Sequence, residues 1–201
     1  MQQKLFGKYD YEGVTVRDPG LAKYISLKPL GMPHSFARHA NKQFAKANVN
    51  IVERLVNKLM RGGTGEKTGG RVIRTHGRLQ GKKTTVMKAV EKAFEVVHAK
   101  TGKNPIQALV DAVINSAPRE DVTRVRFGGV SYQLAVDVST QRRLDLALRN
   151  LALAAIISSF NAKTALSDAI ANEIALASQN DQASFAIKRK NENERMARSA
   201  R

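Results

Sequence analysis

Basic side chains and glycine are concentrated together in residues 61–83, and this combination is typical of a segment that follows a phosphate backbone. The segment holds seven of the fourteen glycines, and its cations are Arg61, Lys67, Arg71, Arg74, Arg78, Lys82 and Lys83. Each lysine or arginine near a phosphate releases a condensed counterion, and arginine can bind a phosphate through two hydrogen bonds. We therefore predict nucleic-acid contact here, against the alternative of a solvated flexible loop.

Two stretches inside this segment are similar to a nucleotide-binding loop but do not match it. That loop needs a glycine, four residues and then Gly-Lys-Ser/Thr, directly after a strand. In residues 65–68 (GEKT) a glutamate separates glycine from lysine, and residues 77–82 (GRLQGK) are one position short. The spacing therefore predicts no hydrolysis of ATP or GTP.

The other residue types that could support catalysis or bind a metal lack the necessary spacing. Helical metal sites place histidines three or four residues apart, often with a carboxylate. The histidines here are His34, His39, His76 and His98. Asp168 and Glu173 are five residues apart, so they do not share one face of a helix as an acid–base pair would. We predict no catalytic residue, no metal site and no cofactor.

Apolar and polar residues alternate through 122–138, on either side of Gly128 and Gly129, which predicts a β-hairpin with a two-residue turn. In this register one face is apolar and carries Thr123, Val125, Phe127, Val130, Tyr132 and Leu134. The opposite face carries Arg124, Arg126, Ser131 and Gln133. We predict that this cationic face contacts RNA and that Arg142 and Arg143, which follow it, converge on the same ligand; a solvated face is the alternative.

The elements that position these residues are mostly helical. Helices are predicted over 48–61, 84–100, 104–116, 140–160 and 163–178, and apolar residues recur at helical spacing in the first, second and last of these. A sixth, basic segment spans 183–199. Asn104-Pro105 is a helix start, and Gly102 follows the end of the preceding helix. Segment 140–160 is apolar on most sides, which predicts a buried central helix. For the basic segment 183–199, a disordered tail and a helix that forms on a polyanion both remain open.

Composition restricts the class of partner. The chain has 201 residues with a net charge of +17 and 42% hydrophobic residues, so a packed core with a polyanionic ligand is expected. No cysteine is present, which excludes disulfides, cysteine-bound zinc and a thiol nucleophile. Neither a membrane span nor a signal peptide is expected. Tryptophan is absent and aromatics are 5%, so base stacking is not the expected mode of binding.

The charge is unevenly distributed, and its distribution predicts the organisation of the chain. We expect one all-α domain, a bundle of about six helices with one protruding β-hairpin. A basic N-terminal arm spans 1–47, where frequent glycine and proline exclude long helices. The helical body spans 48–180 and includes the basic loop 62–83 and the hairpin 122–138. A basic C-terminal tail spans 181–201.

Several stretches of the chain resemble the small-subunit ribosomal protein seven family. They are residues 51–60 (IVERLVNKLM), 104–121 (NPIQALVDAVINSAPRED), 132–143 (YQLAVDVSTQRR) with the preceding Gly-Gly turn, and 185–201 (FAIKRKNENERMARSAR). Residues 4–9 (KLFGKY) and 33–35 (PHS) also match, and both termini are more similar to archaeal and eukaryotic members. Bacterial members have a short Gly-Lys-Lys turn after the first helix, whereas here residues 81–83 follow an insertion, 62–80.

The resemblance implies a non-catalytic structural protein of the small ribosomal subunit, located in the cytoplasm. It implies binding to the 3′ major domain of the rRNA, an early role in assembly of the head, and a place near the mRNA exit and the exit-site tRNA. It also implies contact with neighbouring ribosomal proteins of the head and platform. In this interpretation Gly128 and Gly129 lie near tRNA and mRNA. The residues expected to contact rRNA are Arg38, Lys42, Lys46, Arg71, Arg74, Arg78, Lys82, Lys83, Arg124, Arg126, Arg142 and Arg143.

Two other functions remain open at this stage. A general DNA- or chromatin-binding protein would have the same charge, but it would not prefer structured RNA, which is recognised by its shape and 2′-hydroxyls. An RNA-processing enzyme would need an acid–base constellation, and none is indicated.

Overall fold

The structure, a computed structural model, describes residues 3–62, 67, 68, 71, 72 and 78–201. Within these ranges the helices are α1 (Pro19–Ala22), α2 (Ile51–Leu59), α3 (Lys83–Thr101), α4 (Pro105–Ser116), α5 (Thr140–Ser159), α6 (Leu166–Ser178) and α7 (Phe185–Ser199). The strands are β1 (Lys67–Thr68), β2 (Arg71–Val72), β3 (Glu120–Phe127) and β4 (Val130–Asp137). The predicted fold class, a helical bundle with one β-hairpin, is confirmed.

Side chains that cap the helices determine where they begin and end. The Asn50 side chain accepts a hydrogen bond from the backbone N–H of Val52, so α2 begins at Ile51, three residues later than predicted. Asn104 caps α4 in the same way through the N–H of Ile106, as its sequence predicts. At the end of α3, Gly102 has a φ of +65°, which favours glycine over other residues.

The core is built around α5 and α6. α6 packs against α3, α4 and α5, and α2 packs against α5. Most of the inward side chains of α5 are buried, including Leu144, Leu148 and Leu151, which confirms the predicted central helix.

The β3–β4 hairpin has the register that its alternation predicts. Thr123 pairs with Leu134, Arg124 with Gln133, and Phe127 with Val130. The turn residues Gly128 and Gly129 have φ values of +57° and +83°, as a two-residue turn with both central residues in the left-handed region requires. The predicted separation of an apolar face from a cationic face follows from this register.

The glycine-rich segment after α2 contains more regular structure than its composition predicts. Glycine frequency indicates no regular element in 62–81, yet β1 and β2 pair antiparallel, with Lys67 opposite Val72 and Thr68 opposite Arg71. Each strand has a β-branched residue, Thr68 or Val72, which suits extended backbone. That expectation was therefore wrong for these two short strands.

The N-terminal segment has little regular structure but contributes to the core. Beyond α1 it contains two 3-10 helices, Arg38–Asn41 and Ala45–Asn48. Leu5 and Leu21 are completely buried, and both belong to the main hydrophobic cluster. These residues have no helical spacing, so the sequence pattern did not indicate their burial.

The C-terminal helix α7 packs against the base of the hairpin and against α5. Ser184 caps it, and the buried Glu173 carboxylate accepts hydrogen bonds from the Ser184 hydroxyl at 2.6 Å and the Ala186 N–H at 3.0 Å. Of the two states left open for this segment, the structure contains an ordered helix. In the described part of the chain, no helix is long and apolar enough to span a membrane.

Candidate nucleic-acid interface

A basic groove runs between α2 and α5, which are nearly ninety residues apart in the sequence. Three adjoining cavities form it, and Lys58 lines all three. We call it the α2–α5 groove and define it by Lys46, Arg54, Lys58, Arg61, Arg142, Asp145 and Arg149. Six of these side chains are basic and one is acidic, so the groove has a strong positive potential that attracts polyanions.

Asp145 is the carboxylate at the centre of the groove. Its oxygens lie 2.6 Å from Lys46 Nζ, 3.2 Å from Lys58 Nζ and 3.4 Å from a terminal nitrogen of Arg54. Burial raises the pKa of this carboxyl, but the hydrogen bond from Lys46 and the nearby cations outweigh burial and hold its pKa below the usual 3.8. One ionised carboxylate therefore orders three cations at neutral pH.

The cations of the groove are held close to one another. Burial lowers the pKa of the Lys58 ammonium, and the charges of Lys46 and Arg61 lower it further, although Asp145 acts in the opposite direction. Burial likewise lowers the pKa of Arg54, whose side chain is 2% exposed. An additional anion in the groove would stabilise the charged forms of both residues.

Two buried nitrogen atoms that line the groove have no hydrogen-bond partner among the described residues. They are Arg54 Nε and His39 Nδ1. A buried donor without a partner costs about 1–3 kcal/mol, so such atoms are uncommon in a folded protein. Arg54 uses its other nitrogens on the Tyr24 carbonyl at 3.1 Å and on Asp145. Arg54 Nε is therefore a buried donor without a partner beside the groove, whereas His39 Nδ1 is a donor or an acceptor depending on the tautomer of the ring.

Three of the cations predicted to contact rRNA form ion pairs of 2.9 Å or shorter with carboxylates of the protein. Lys46 contacts Asp145, Lys83 Nζ lies 2.6 Å from Glu53, and Arg143 lies 2.9 Å from Asp18. The last two pairs join the N-terminal segment to the helical body, because Glu53 also accepts hydrogen bonds from the Ser35 N–H and hydroxyl, each at 2.9 Å. Lys83 and Arg143 thus have a structural role, whatever they contribute to binding.

The other predicted cations are more accessible. Arg38, Lys42, Arg78, Lys82, Arg124, Arg126 and Arg142 are exposed. Arg142 lies 3.7 Å from Asp121 at the base of the hairpin, and it also lines the α2–α5 groove, so the groove extends to the base of the hairpin. Arg71 belongs to β2. Arg74 lies outside the described residues.

The hairpin presents its two faces to solvent. Arg124 lies opposite Gln133 and Arg126 opposite Ser131. Large apolar residues on the other face are exposed, with Phe127 81% and Tyr132 52% accessible. A hairpin with both faces accessible is marginal on its own, and here α7 supports its base.

The sequence reasoning missed Arg54, Lys58 and Arg149 as parts of a site. A signal was present, because Arg54, Lys58 and Arg61 recur at four and three residues, which places them on one face of the helix predicted over 48–61. The charged residues of α5 also recur at helical spacing, through Arg142, Asp145 and Arg149. Their convergence depends on the packing of α2 against α5, which no local pattern reveals.

The residues considered for catalysis have other partners in the structure. His34 accepts a hydrogen bond from the Phe36 N–H, and His98 contacts the Lys103 carbonyl. Glu173 caps α7, and Lys67 and Thr68 lie in a strand instead of a phosphate-binding turn. Among the described residues no group of three or more acidic or histidine side chains could hold a metal ion.

Comparison with protein families identifies a match over most of the chain. The family model described as "Ribosomal protein S7p/S5e" matches residues 21–201. The match spans every α-helix after α1, both strand pairs, the groove and the hairpin.

Proposed function

Because the chain belongs to the ribosomal protein S7p/S5e family, and so is a small-subunit ribosomal protein that binds rRNA, we propose that the α2–α5 groove and the cationic face of the hairpin form its rRNA-binding surface. The observation that carries this proposal is the groove itself, with six basic side chains around one carboxylate. Arg142 lines the groove and contacts Asp121, so the groove and the base of the hairpin are adjacent.

The protein binds RNA by neutralising backbone phosphates with its basic side chains and by fitting the shape of the folded RNA. Four of the groove cations lie on α2 and α5, and Asp145 holds Lys46 and Lys58 in place, so these side chains lose little entropy when they meet backbone phosphates. Arginines bind phosphate oxygens through two parallel hydrogen bonds. Each neutralised phosphate releases a counterion, which makes the affinity strongly dependent on salt. A rigid body with several basic surfaces can hold separate RNA helices together without any chemical step.

The finer parts of the function follow from the resemblance and remain proposals. The RNA bound is the 3′ major, or head, domain, and binding helps to nucleate assembly of the head. The tip of the hairpin, Gly128 and Gly129, lies near the mRNA exit and the exit-site tRNA, and other proteins of the head and platform are neighbours. The exposure of both hairpin faces supports this placement, because an accessible ribbon can contact ligands on two sides. The protein is a structural, non-catalytic component.

The test is the binding of a head-domain RNA fragment at increasing salt concentration. For the double variant Arg61→Gln with Arg142→Gln, we expect weaker binding and a slope of log K against log salt that is smaller by about 2. The control is Lys103→Gln with Lys163→Gln, which removes two exposed cations outside the proposed surface. Equal slopes for both double variants would contradict the assignment of the groove.

A flat salt response of the wild-type protein would contradict phosphate binding altogether. Competition with duplex DNA separates structured-RNA recognition from general polyanion binding, since the 2′-hydroxyls and the A-form shape are absent from DNA. We expect the DNA duplex to compete poorly.

A further inference from the structure

Two phenylalanines in residues 33–48 are exposed to solvent and have an unusual backbone conformation. The side chains of Phe36 and Phe44 are 72% and 67% exposed. Both residues have positive φ values, +50° and +59°, and Ala37 between them has +57°. The left-handed region is sparsely populated by residues with a Cβ, and such backbone is concentrated at functional sites. The fold therefore uses a disfavoured conformation where burial of these rings would have been favourable.

The Phe36 ring is held in place by its neighbour. It stacks on the His34 ring, with centroids 4.2 Å apart and an angle of 29° between the planes. The backbone N–H of Phe36 donates to His34 Nδ1 at 3.0 Å, which closes a short local loop. The two rings thus form a small aromatic platform with one exposed side, and its orientation is established before any ligand binds.

The surroundings of both rings are cationic. No aspartate or glutamate occurs between residues 19 and 52. Arg38 and Lys42 lie between the two phenylalanines and are exposed. His39 and Lys46, from the same segment, line the α2–α5 groove. A ligand bound in the groove through its phosphates can therefore extend to the aromatic rings.

We propose that Phe36, supported by His34, and Phe44 stack on unpaired nucleobases of the RNA whose phosphates occupy the α2–α5 groove; this deepens the proposed function and rests on it. Every base has a π-face, and proteins that bind single-stranded RNA combine aromatic stacking surfaces with cations that follow the backbone. A protein partner fits less well, because the cores of protein interfaces are depleted in charged residues and here cations separate the rings.

The low aromatic content had argued against stacking, and the structure changes that expectation. Two exposed rings can stack on two bases even when aromatic residues are few. Whether a ring is exposed is decided by the tertiary structure and not by the composition. The phenylalanine of the hairpin tip, Phe127, is also exposed, but it lies in a regular strand and does not have the left-handed backbone of Phe36 and Phe44.

The first test replaces each ring with an apolar side chain that cannot stack. We expect Phe36→Leu and Phe44→Leu each to weaken binding of the head RNA fragment about 5- to 150-fold, the range for loss of one stacked base. The salt slope should stay unchanged because no cation is removed, and Phe36→Tyr should bind like wild type. The control is Phe160→Leu, at a phenylalanine that is 37% exposed outside this segment.

Two results of this test would overturn stacking. One is an affinity of both leucine variants within about twofold of wild type. The other is a loss of affinity together with a smaller salt slope, because that would mean that the substitution had displaced a cation. In either case a steep salt slope for the wild-type protein would leave the proposed rRNA binding intact. Helical circular dichroism should be unchanged, since both rings are exposed.

The second test uses the absence of tryptophan from the chain. In Phe36→Trp the new indole is the sole tryptophan, and stacking on a base should quench its fluorescence when the RNA fragment is added. In the control Phe160→Trp the emission should remain unchanged at saturating RNA. No quenching at position 36 would overturn the proposal, and equal quenching at both positions would do so as well, because it would show that the signal does not report stacking.

Discussion

Two carboxylates, Asp145 and Glu53, form ion pairs with basic side chains in different environments. Asp145 faces the groove and stays partly accessible, whereas Glu53 is 1% exposed and pairs with Lys83 inside the fold. Burial raises the pKa of Glu53, but hydrogen bonds from Lys83 and Ser35 outweigh it, so its pKa lies below the usual 4.5. A carboxylate thus orders the cations of the groove at one position and joins the N-terminal segment to the helical body at the other.

Glu53 gives a prediction about the pH dependence of stability. A carboxyl whose pKa is lower in the folded than in the unfolded state contributes stability above its unfolded pKa and loses it as the pH falls through the folded value. We expect Glu53→Gln to lower the free energy of unfolding by about 3 kcal/mol at pH 7, because Lys83 is left buried without its partner charge. Urea unfolding at pH 7 measures this difference.

The difference between wild type and Glu53→Gln should shrink as the pH falls below about 4.5, where the unfolded carboxyl becomes protonated. Asp137→Gln is the control, since Asp137 is exposed at the end of β4. A difference that stays constant down to pH 3 would show that the ionised form of Glu53 is not what stabilises the fold.

At the level of elements, the contact between α2 and α5 depends on a residue without a side chain. Gly62 follows α2 and is buried, and a Cβ built on it would lie 2.1 Å from Cδ1 of Ile156 on α5. Ile156 is itself 3% exposed, so it has little room to move. This close approach brings the basic residues of the two helices to one groove.

We expect Gly62→Ala to lower the free energy of unfolding by about 1–3 kcal/mol, as overpacking of a core does. Adding Ile156→Val should restore part of the loss by making room for the new methyl group. Thermal or urea unfolding of the single and double variants measures both effects. Gly31→Ala is the matched control, because its Cβ would meet only an ordinary contact at 3.7 Å; equal losses at the two glycines would contradict the packing argument.

The hairpin is an element with two chemically different faces, and its cationic face gives a separate prediction. We expect Arg124→Glu with Arg126→Glu to weaken RNA binding strongly, because two attractive charges become repulsive. The helical circular dichroism should stay near that of the wild type, since both residues are exposed. Loss of the helical signal would mean that these arginines serve the fold instead.

The control for the hairpin prediction lies on its opposite face. Thr123 and Leu134 form a cross-strand pair there, so Thr123→Gln with Leu134→Gln changes the same element without changing its charge. We expect the salt slope of RNA binding to remain that of the wild type for this pair. Nitrocellulose filter binding at several salt concentrations compares the two double variants directly.

For the whole molecule, the net charge of +17 acts in opposite directions on folding and on binding. Cations that repel one another destabilise the compact state, and salt screens this repulsion over about 8–10 Å. We expect the free energy of unfolding to rise between about 0.05 and 0.3 M KCl, while RNA affinity falls over the same range. A fall in both quantities would mean that the internal ion pairs outweigh the general repulsion.

The sequence alone determined the local structure and the class of ligand. Asn104-Pro105 marked the start of α4, and Gly102 marked the end of α3. The alternation around Gly128 indicated the register of the hairpin. These signals are local because backbone geometry and capping act over a few residues. The excess of basic residues indicated a polyanion, since net charge is a property of composition. The stretches similar to a known family indicated which polyanion it is.

The tertiary structure alone decided which side chains are available to that ligand. Arg54, Lys58 and Arg149 converge because α2 packs on α5. Lys83 forms an ion pair with Glu53 because the fold brings these two residues together. Burial of Leu5 and exposure of Phe36 likewise have no local signature. Contacts between residues thirty to ninety positions apart depend on how whole helices pack. That packing minimises the free energy of the entire chain, so it cannot be predicted from a short segment of the sequence.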